Sequence, residues 1–464
     1  MARVVIIGAG LTGISTAYHL EKNGFFDYKI FEKEAQIGGL CKSVQQDGFT
    51  FDYTGHLLHI NDNYFQDLIK NIVNLDNFNL IARKSFVYSH EKYTPYPYQT
   101  NLYGLPTNVI EDCICGFVDR KKYNLSRNNK SKNTYSYYQW VLQNFGSGFG
   151  KHFFFPYQQK IFSYDARKLS STWTGRFVPK TSLRNLIKGS VEENQDTVGY
   201  NSKFFYPKKG GIYYLIKKFA QQLLNPIQTN FCIKTIDSVN KILIFDNGHT
   251  EKYDILINTG PLDNLLNSIK DTHKLQALKN TSSKLLCNSV VNFNLGVFSE
   301  KTYDKHWIYY PENIYPFYRT GFFHNYSENM APKGCSNMYG EFSYLKKSKN
   351  FINNKLELCL KESKKLLEIN DKEILTEKIL HIKHAYVIYD MWREKNITKI
   401  HNTLKLENIH SIGRYGQWKY SSMQEAVLDG KQVVEKLITN NFAQEIRYWK
   451  ISHDKIIKDQ NLIK

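Results

Sequence analysis

The apolar run Val4-Val5-Ile6-Ile7 breaks into Gly8-Ala9-Gly10-Leu11-Thr12-Gly13, three glycines at Gly-x-Gly-x-x-Gly spacing. Glycines so placed bind a dinucleotide. Gly8 permits a tight turn, Gly10 lets the backbone approach a pyrophosphate, and Gly13 lets a helix pack close to a strand. Glu32 ends the next apolar segment, Tyr28-Lys29-Ile30-Phe31, where an acid should grip a ribose hydroxyl. A second glycine pair, Gly38-Gly39, follows. Far along the chain, Arg319 stands between Tyr315-Pro-Phe-Tyr318 and Thr320-Gly-Phe-Phe323. A guanidinium buried in such surroundings needs a partner. The chain has 33 tyrosines, and an ordinary buried tyrosine satisfies its hydroxyl with one hydrogen bond and holds no ligand.

The elements that would position these residues are legible in outline. Four consecutive β-branched residues, Val4 to Ile7, predict a buried parallel strand. A helix over Leu11 to Lys22 would aim its first N–H groups at phosphates. Further helices are expected over Tyr64–Val73, Gly211–Leu224, Phe351–Ile369 and Met423–Leu437, and residues 106–195 read as mostly helical. Strands are expected at 233–246, 253–260, Ile379–Tyr389 and Asn408–Gly413, with antiparallel alternation over 285–345. Pro95 and Pro97 exclude a regular strand interior there. The fold class is α/β, a Rossmann-like dinucleotide-binding domain with an inserted helical domain and an antiparallel-sheet substrate domain. The expected division is 1–60, 205–265 and 405–440 for the first, 106–200 for the helical part, 61–105 and 270–400 for the sheet, and 441–464 as a C-terminal tail.

Composition bounds the rest. At 464 residues, 42% hydrophobic and 15% aromatic, the chain suggests two or three globular domains. No apolar run of about 18 residues predicts a transmembrane helix. The short apolar start ends in glycines and does not read as a signal peptide. Seven cysteines without CxxC pairs argue against a disulfide framework or a metal site, and point to a reducing cytoplasm. The net charge of +19 raises three candidate partners: nucleic acid, an anionic membrane surface or a phosphorylated substrate. Basic runs such as Arg120-Lys121-Lys122 and Lys346-Lys347-Ser348-Lys349 read as solvated loops. With no nucleic-acid module present, no nucleic-acid partner is expected, and a lysine- and asparagine-rich bias accounts for much of the charge.

Taken in order, the motifs resemble those of flavoproteins of the glutathione-reductase type, and more narrowly of the UDP-galactopyranose mutases. Gly38-Gly39 resembles the second flavin motif, and Phe51-Asp-Tyr-Thr-Gly-His-Leu-Leu-His59 the segment whose Gly-His lies beside the isoalloxazine. Pro95-Tyr-Pro-Tyr-Gln-Thr-Asn101 and His306-Trp-Ile-Tyr-Tyr-Pro-Glu312 through Arg319 are similar to stretches of the eukaryotic-type enzymes. Asn258-Thr-Gly-Pro-Leu-Asp263 is similar to the bacterial type, and Gly413-Arg-Tyr-Gly-Gln-Trp-Lys-Tyr420 to the C-terminal flavin motif. The matches run from residue 4 to about 437 and cover nearly the whole chain.

The resemblance implies FAD, active in its reduced form, with NAD(P)H as a possible reductant and a UDP-sugar as substrate. In that family, N5 of reduced FAD attacks the anomeric carbon and expels UDP, and the sugar recloses through another hydroxyl. Carried over residue by residue, the cofactor contacts are Gly8, Gly10, Gly13, Glu32, Gly38, Gly39, Gly413, Arg414 and Gln424. His56 is expected beside the flavin, and Arg319 and Arg176 on the diphosphate. Tyr309, Tyr386 and Tyr420 would hold the same phosphates, Asn201 the sugar side, and Gln99 and Tyr157 the nucleotide side, Tyr157 stacking on uracil. A homo-oligomer is possible. Ser421-Ser422-Met423-Gln424 departs from the eukaryotic Gly-Asn-Gln, so Gln424 replaces a flavin-facing asparagine with a side chain one methylene longer. Two other readings stand beside the mutase: an oxidoreductase of the amine oxidase and protoporphyrinogen oxidase kind, and a flavin-binding partner protein without activity. A diphosphate-clamping arginine and tyrosine set favours the first reading.

Overall fold

The computed structural model describes residues 3–123, 135–193, 202–270, 275–298 and 303–439. Val4–Ile7 lies at the centre of a five-stranded parallel sheet ordered Ile409–Ser411, Ile255–Asn258, Val4–Ile7, Tyr28–Phe31, Ile227–Gln228. All four of its β-branched side chains sit in or near the core, as a strand covered on both faces requires. The helices Leu11–Lys22 and Met423–Leu437 pack together on this sheet. Strands far apart in sequence therefore meet in one dinucleotide-binding sheet.

A second sheet of seven strands carries the other wall of the molecule. Its order is Ile374–Ile382, Ser289–Phe298, Cys335–Tyr344, Arg319–Gly321, Trp307–Tyr309, Ser85–Ser89, Lys92–Pro95. All neighbours are antiparallel except Trp307–Tyr309 and Ser85–Ser89. Alternation sorts its two faces. Val291, Phe293 and Leu295 pack with Cys359 of the Lys349–Leu366 helix, whereas Trp307, Tyr309 and Tyr339 face the dinucleotide sheet. The helices Thr107–Asp119, Tyr137–Phe149 and Leu183–Val191 pack as a group, and Phe155–Phe162 lies against the strand Cys335–Tyr344.

Pro95 occupies no strand interior: it ends the strand Lys92–Pro95 at the sheet edge, where a missing N–H leaves no ladder bond unmade. Two local expectations differ from what forms. The expected strand Ile379–Tyr389 instead spans Ile374–Ile382. Beyond it Asn288 captures the chain: Asn288 O accepts from Ala385 N and its Oδ1 from Tyr386 N at 2.8 Å. The basic runs are not plain loops either. Arg120–Tyr123 is a 3-10 turn, and Ser348 caps a helix by accepting from Phe351 N.

Burial of titratable groups makes the fold acid-sensitive. His19, His56, His306 and His401 are each pushed down to about 4, first by burial. Their folded values lie below the unfolded one, so the unfolded chain binds more protons as pH falls from about 6.5 toward 4. Each group then removes stability over that window, of the order of 3 kcal/mol at its lower end. Asp52, raised to about 6 by burial, acts oppositely and is outnumbered. The urea midpoint is expected to fall steadily from about pH 7 to about pH 5; a flat midpoint would contradict these assignments.

Candidate active site

The turn after Val4–Ile7 places the glycines as their chemistry requires. Gly8 has φ +95° and donates to Phe31 O at 2.7 Å. A Cβ on Gly13 would lie 1.9 Å from Gly8 O, so Gly13 secures the contact between strand and helix. A Cβ on Gly10 would meet only Gly39 Cα, at 3.9 Å, and would project into open space. Gly38 N donates to Ala9 O at 2.8 Å, laying the second glycine pair against the first. The Glu32 carboxylate is buried at the strand end and accepts from Ala9 N at 2.8 Å and Glu34 N at 3.0 Å.

From this cradle a single cavity of about 500 Å³ runs in two directions. One end is apolar, lined by Phe231, Ile233, Ile236 and Leu265. The other reaches Gly55, His56, Arg319, Tyr386 and Tyr420 under the seven-stranded sheet. Gly413 has φ +78°, a Cβ on it would lie 2.6 Å from Thr12 Oγ1 on the glycine-motif helix, and it brings Arg414 to the wall. Arg414 donates to Ser421 O at 2.8 Å and Ala385 O at 3.3 Å, and its Nε is buried without a partner.

The polar end is built by register. Arg319 sits directly opposite Glu341 across two antiparallel strands. Its Nε and Nη2 fork onto the Glu341 carboxylate at 2.7–3.1 Å, and Tyr318 donates to the same carboxylate. Glu341 is fully buried while Arg319 keeps 16% of its side chain exposed. Nη1 is thus left without a hydrogen bond among the described residues, on a guanidinium that lines the cavity. Tyr309 follows from the next strand; Tyr386, from a loop, and Arg414, from the short helix Gly413–Gly416, line the same cavity, the Arg414 guanidinium 4.9 Å from the Tyr420 ring. Burial raises the Tyr309 phenol and pushes Tyr386 up to about 12, so both remain O–H donors at neutral pH. His56 is pushed down to about 4 by burial, then by Arg414 and Arg319. Its imidazole is therefore neutral, with Nδ1 buried and unpartnered.

Gly8, Gly10, Glu32, Gly38, Gly39, His56, Tyr309, Arg319, Tyr386, Arg414 and Tyr420 thus share one cavity. Five expected residues do not open onto it. Gln424 holds the chain instead: its Oε1 accepts from Asn61 N at 2.7 Å and Asp62 N at 3.1 Å, ahead of the Asn63–Val73 helix. Gln99 is buried and donates to Pro179 O at 2.6 Å. Tyr157 stacks on Phe153, centroids 5.5 Å apart, and meets Tyr309 edge-on from behind. Gly13 packs behind the turn. Gly413 does not line the cavity itself but positions Arg414. Arg176 falls in the turn Gly175–Phe177, its side chain outside the described residues; the neighbouring Phe177 lines the cavity and packs on Tyr420 at 4.5 Å. Asn201 and the tail 441–464 also lie outside the described residues. Glu341 carries only a faint signal in the sequence, a lone carboxylate in the run Met338-Tyr-Gly-Glu-Phe-Ser-Tyr344.

The cavity fits FAD on observations of its own. Side-chain-free Gly10 faces the space, the first N–H groups of a 12-residue helix open beside it, and the orphaned His56 Nδ1 awaits a partner. Parallel sheet, glycine cradle and C-terminal Gly413-Arg414 together define a flavoprotein, with FAD as its cofactor. The chain belongs to the flavin containing amine oxidoreductase family, whose model matches residues 11–438. Its structure is similar to that of reduced UDP-galactopyranose mutase, with TM-score 0.86 and 26% identity over 95% of this chain and 96% of the other. In sequence it is 22% identical over 324 residues to coproporphyrinogen III oxidase of Bacillus subtilis (strain 168), covering 63% of this chain and 67% of that protein. It is 46% identical over 50 residues to the zeta-carotene-forming phytoene desaturase of Myxococcus xanthus, 11% of this chain and 10% of that protein. Among the described residues no helix is long and apolar enough to cross a membrane, and no cluster of His, Cys, Asp or Glu is fit to hold a metal.

Proposed function

We propose that this chain is an FAD-dependent mutase that interconverts the pyranose and furanose forms of a UDP-sugar, UDP-galactopyranose in the first instance. The observation that carries this reading is the arginine–tyrosine wall: Arg319, Arg414, Tyr309, Tyr386 and Tyr420 face the same cavity as the glycine cradle. Two guanidiniums and three phenols suit a diphosphate, which needs cations and hydroxyl donors as its bond to the sugar breaks. Reduced FAD, when bound, supplies a nucleophilic nitrogen for the anomeric carbon.

The chain's own groups do the rest. Arg319, oriented by its fork onto Glu341, would present Nη1 to the departing diphosphate. Tyr309 and Tyr386 would donate their hydroxyl protons to phosphate oxygens without losing them. Arg414 would add charge from the opposite wall. His56, neutral between two arginines, would accept or donate one hydrogen bond without adding charge. Retaining UDP in this enclosure is what allows the sugar to be recaptured after it recloses.

The second reading, an oxygen-consuming oxidase, is favoured by the family and by the Bacillus relative. Dithionite-reduced enzyme incubated with UDP-galactopyranose separates the two. Furanose product with UDP retained supports the mutase. A yellow protein that leaves the nucleotide sugar unchanged and consumes oxygen with a porphyrinogen or an amine overturns it.

A further inference from the structure

Much of the charge lies away from the cavity. Residues 346–365 carry seven lysines against two glutamates. Most of this stretch is the Lys349–Leu366 helix, which covers the face of the seven-stranded sheet opposite the cavity wall. Its inner side is fixed by Cys359 and Ser363, both fully buried. Among the described residues nothing buries the apolar side chains of its outer side. Phe351 is 41% and Leu358 48% exposed, seven residues apart and hence on one line of the helix. Lys365 continues that line and Lys361 flanks it, while Lys347 lies 5.1 Å from the Phe351 ring.

The lysines on this face outnumber their counter-charges. Lys364 pairs with Asp371 at 2.6 Å, but Lys346, Lys347, Lys349, Lys361 and Lys365 make no ion pair among the described residues. Exposed Glu357 and half-buried Glu362 offset them only in part. We propose that this outer face docks the protein on an anionic lipid bilayer. A basic amphipathic helix with exposed apolar residues suits the boundary between headgroups and acyl chains. The residue types favour this surface over nucleic acid. All seven cations are lysines, flexible point charges matched to a diffuse potential, with none of the arginines that read phosphates and bases in fixed geometry. Docking would leave the catalytic cavity, on the sheet's other face, outside the contact.

The test is co-sedimentation of the FAD-loaded full chain with vesicles of phosphatidylcholine alone and of phosphatidylcholine with phosphatidylglycerol. Binding only to the anionic vesicles, released by high salt, is expected. The triple reversal K347E/K361E/K365E should weaken it at least about 100-fold, and F351S/L358S should weaken it about tenfold. Flavin absorbance and turnover should be unchanged in both variants, since none of these residues touches the cavity. Equal binding to neutral vesicles, no sedimentation at low salt, an unaffected triple variant, or retention by RNA without retention by anionic vesicles would each overturn the proposal.

Discussion

Arg319→Ala is expected to lower turnover of the UDP-sugar by roughly 1000-fold while the protein stays yellow. The guanidinium lines the cavity at its polar end, and its free Nη1 would meet charge that develops only as the diphosphate leaves. The substitution has a second effect that must be separated from the first. Glu341 is fully buried, and its present partners are the arginine fork and Tyr318. Removing the cation leaves a buried carboxylate uncompensated, which costs about 3–5 kcal/mol of stability. The double variant R319A/E341Q removes that charge and should regain most of the stability but none of the activity. Glu341→Gln alone keeps the cation and loosens its aim, so a smaller loss of turnover is expected. Flavin absorbance, urea midpoints and turnover of these three variants distinguish the roles. Release of FAD from Arg319→Ala would move Arg319 to the cofactor site and refute its assignment to the substrate.

The two glycines three residues apart should fail in opposite ways. Gly10→Val should give a folded, colourless protein. Its side chain would enter the cavity, where the nearest protein atom to a Cβ is 3.9 Å away, so only the pyrophosphate is displaced. Gly13→Val should not fold stably, because its Cβ would fall 1.9 Å from Gly8 O and force the glycine-motif helix off its sheet. Circular dichroism and absorbance near the flavin maximum, recorded together on both purified variants, read the difference. A yellow Gly10→Val protein would contradict the cradle, and a stable, yellow Gly13→Val protein would contradict the packing role.

Legibility followed locality. The strand Val4–Ile7, the helix Leu11–Lys22 and the helix Met423–Leu437 were readable because hydrophobic period and glycine spacing act over a few residues. The strand at Ile374–Ile382 was displaced from its expectation because Asn288, nearly a hundred residues earlier, captures Ala385 and Tyr386. Gln424 shows the same limit within a recognised motif. Its amide was available for flavin by type and position, but the loop at Asn61–Asp62 takes it. Tyr157 and Gln99 likewise belong to matched stretches yet spend their contacts on Phe153 and Pro179.

The dinucleotide is written in the local sequence: three glycines at fixed spacing, a strand before them and a helix after them leave little other use for the turn. The sequence also marks Arg319 as a cation needing a partner. Its partner and the direction in which the guanidinium faces come from long-range packing. Cross-strand register sets Glu341 opposite Arg319, and register depends on the pairing of the whole sheet rather than on either residue. The same packing turns Tyr309, Tyr386 and Tyr420 toward one cavity while turning Tyr157 away. A motif states which groups are present; the depth at which they are buried and the neighbours they acquire set their charge and reach.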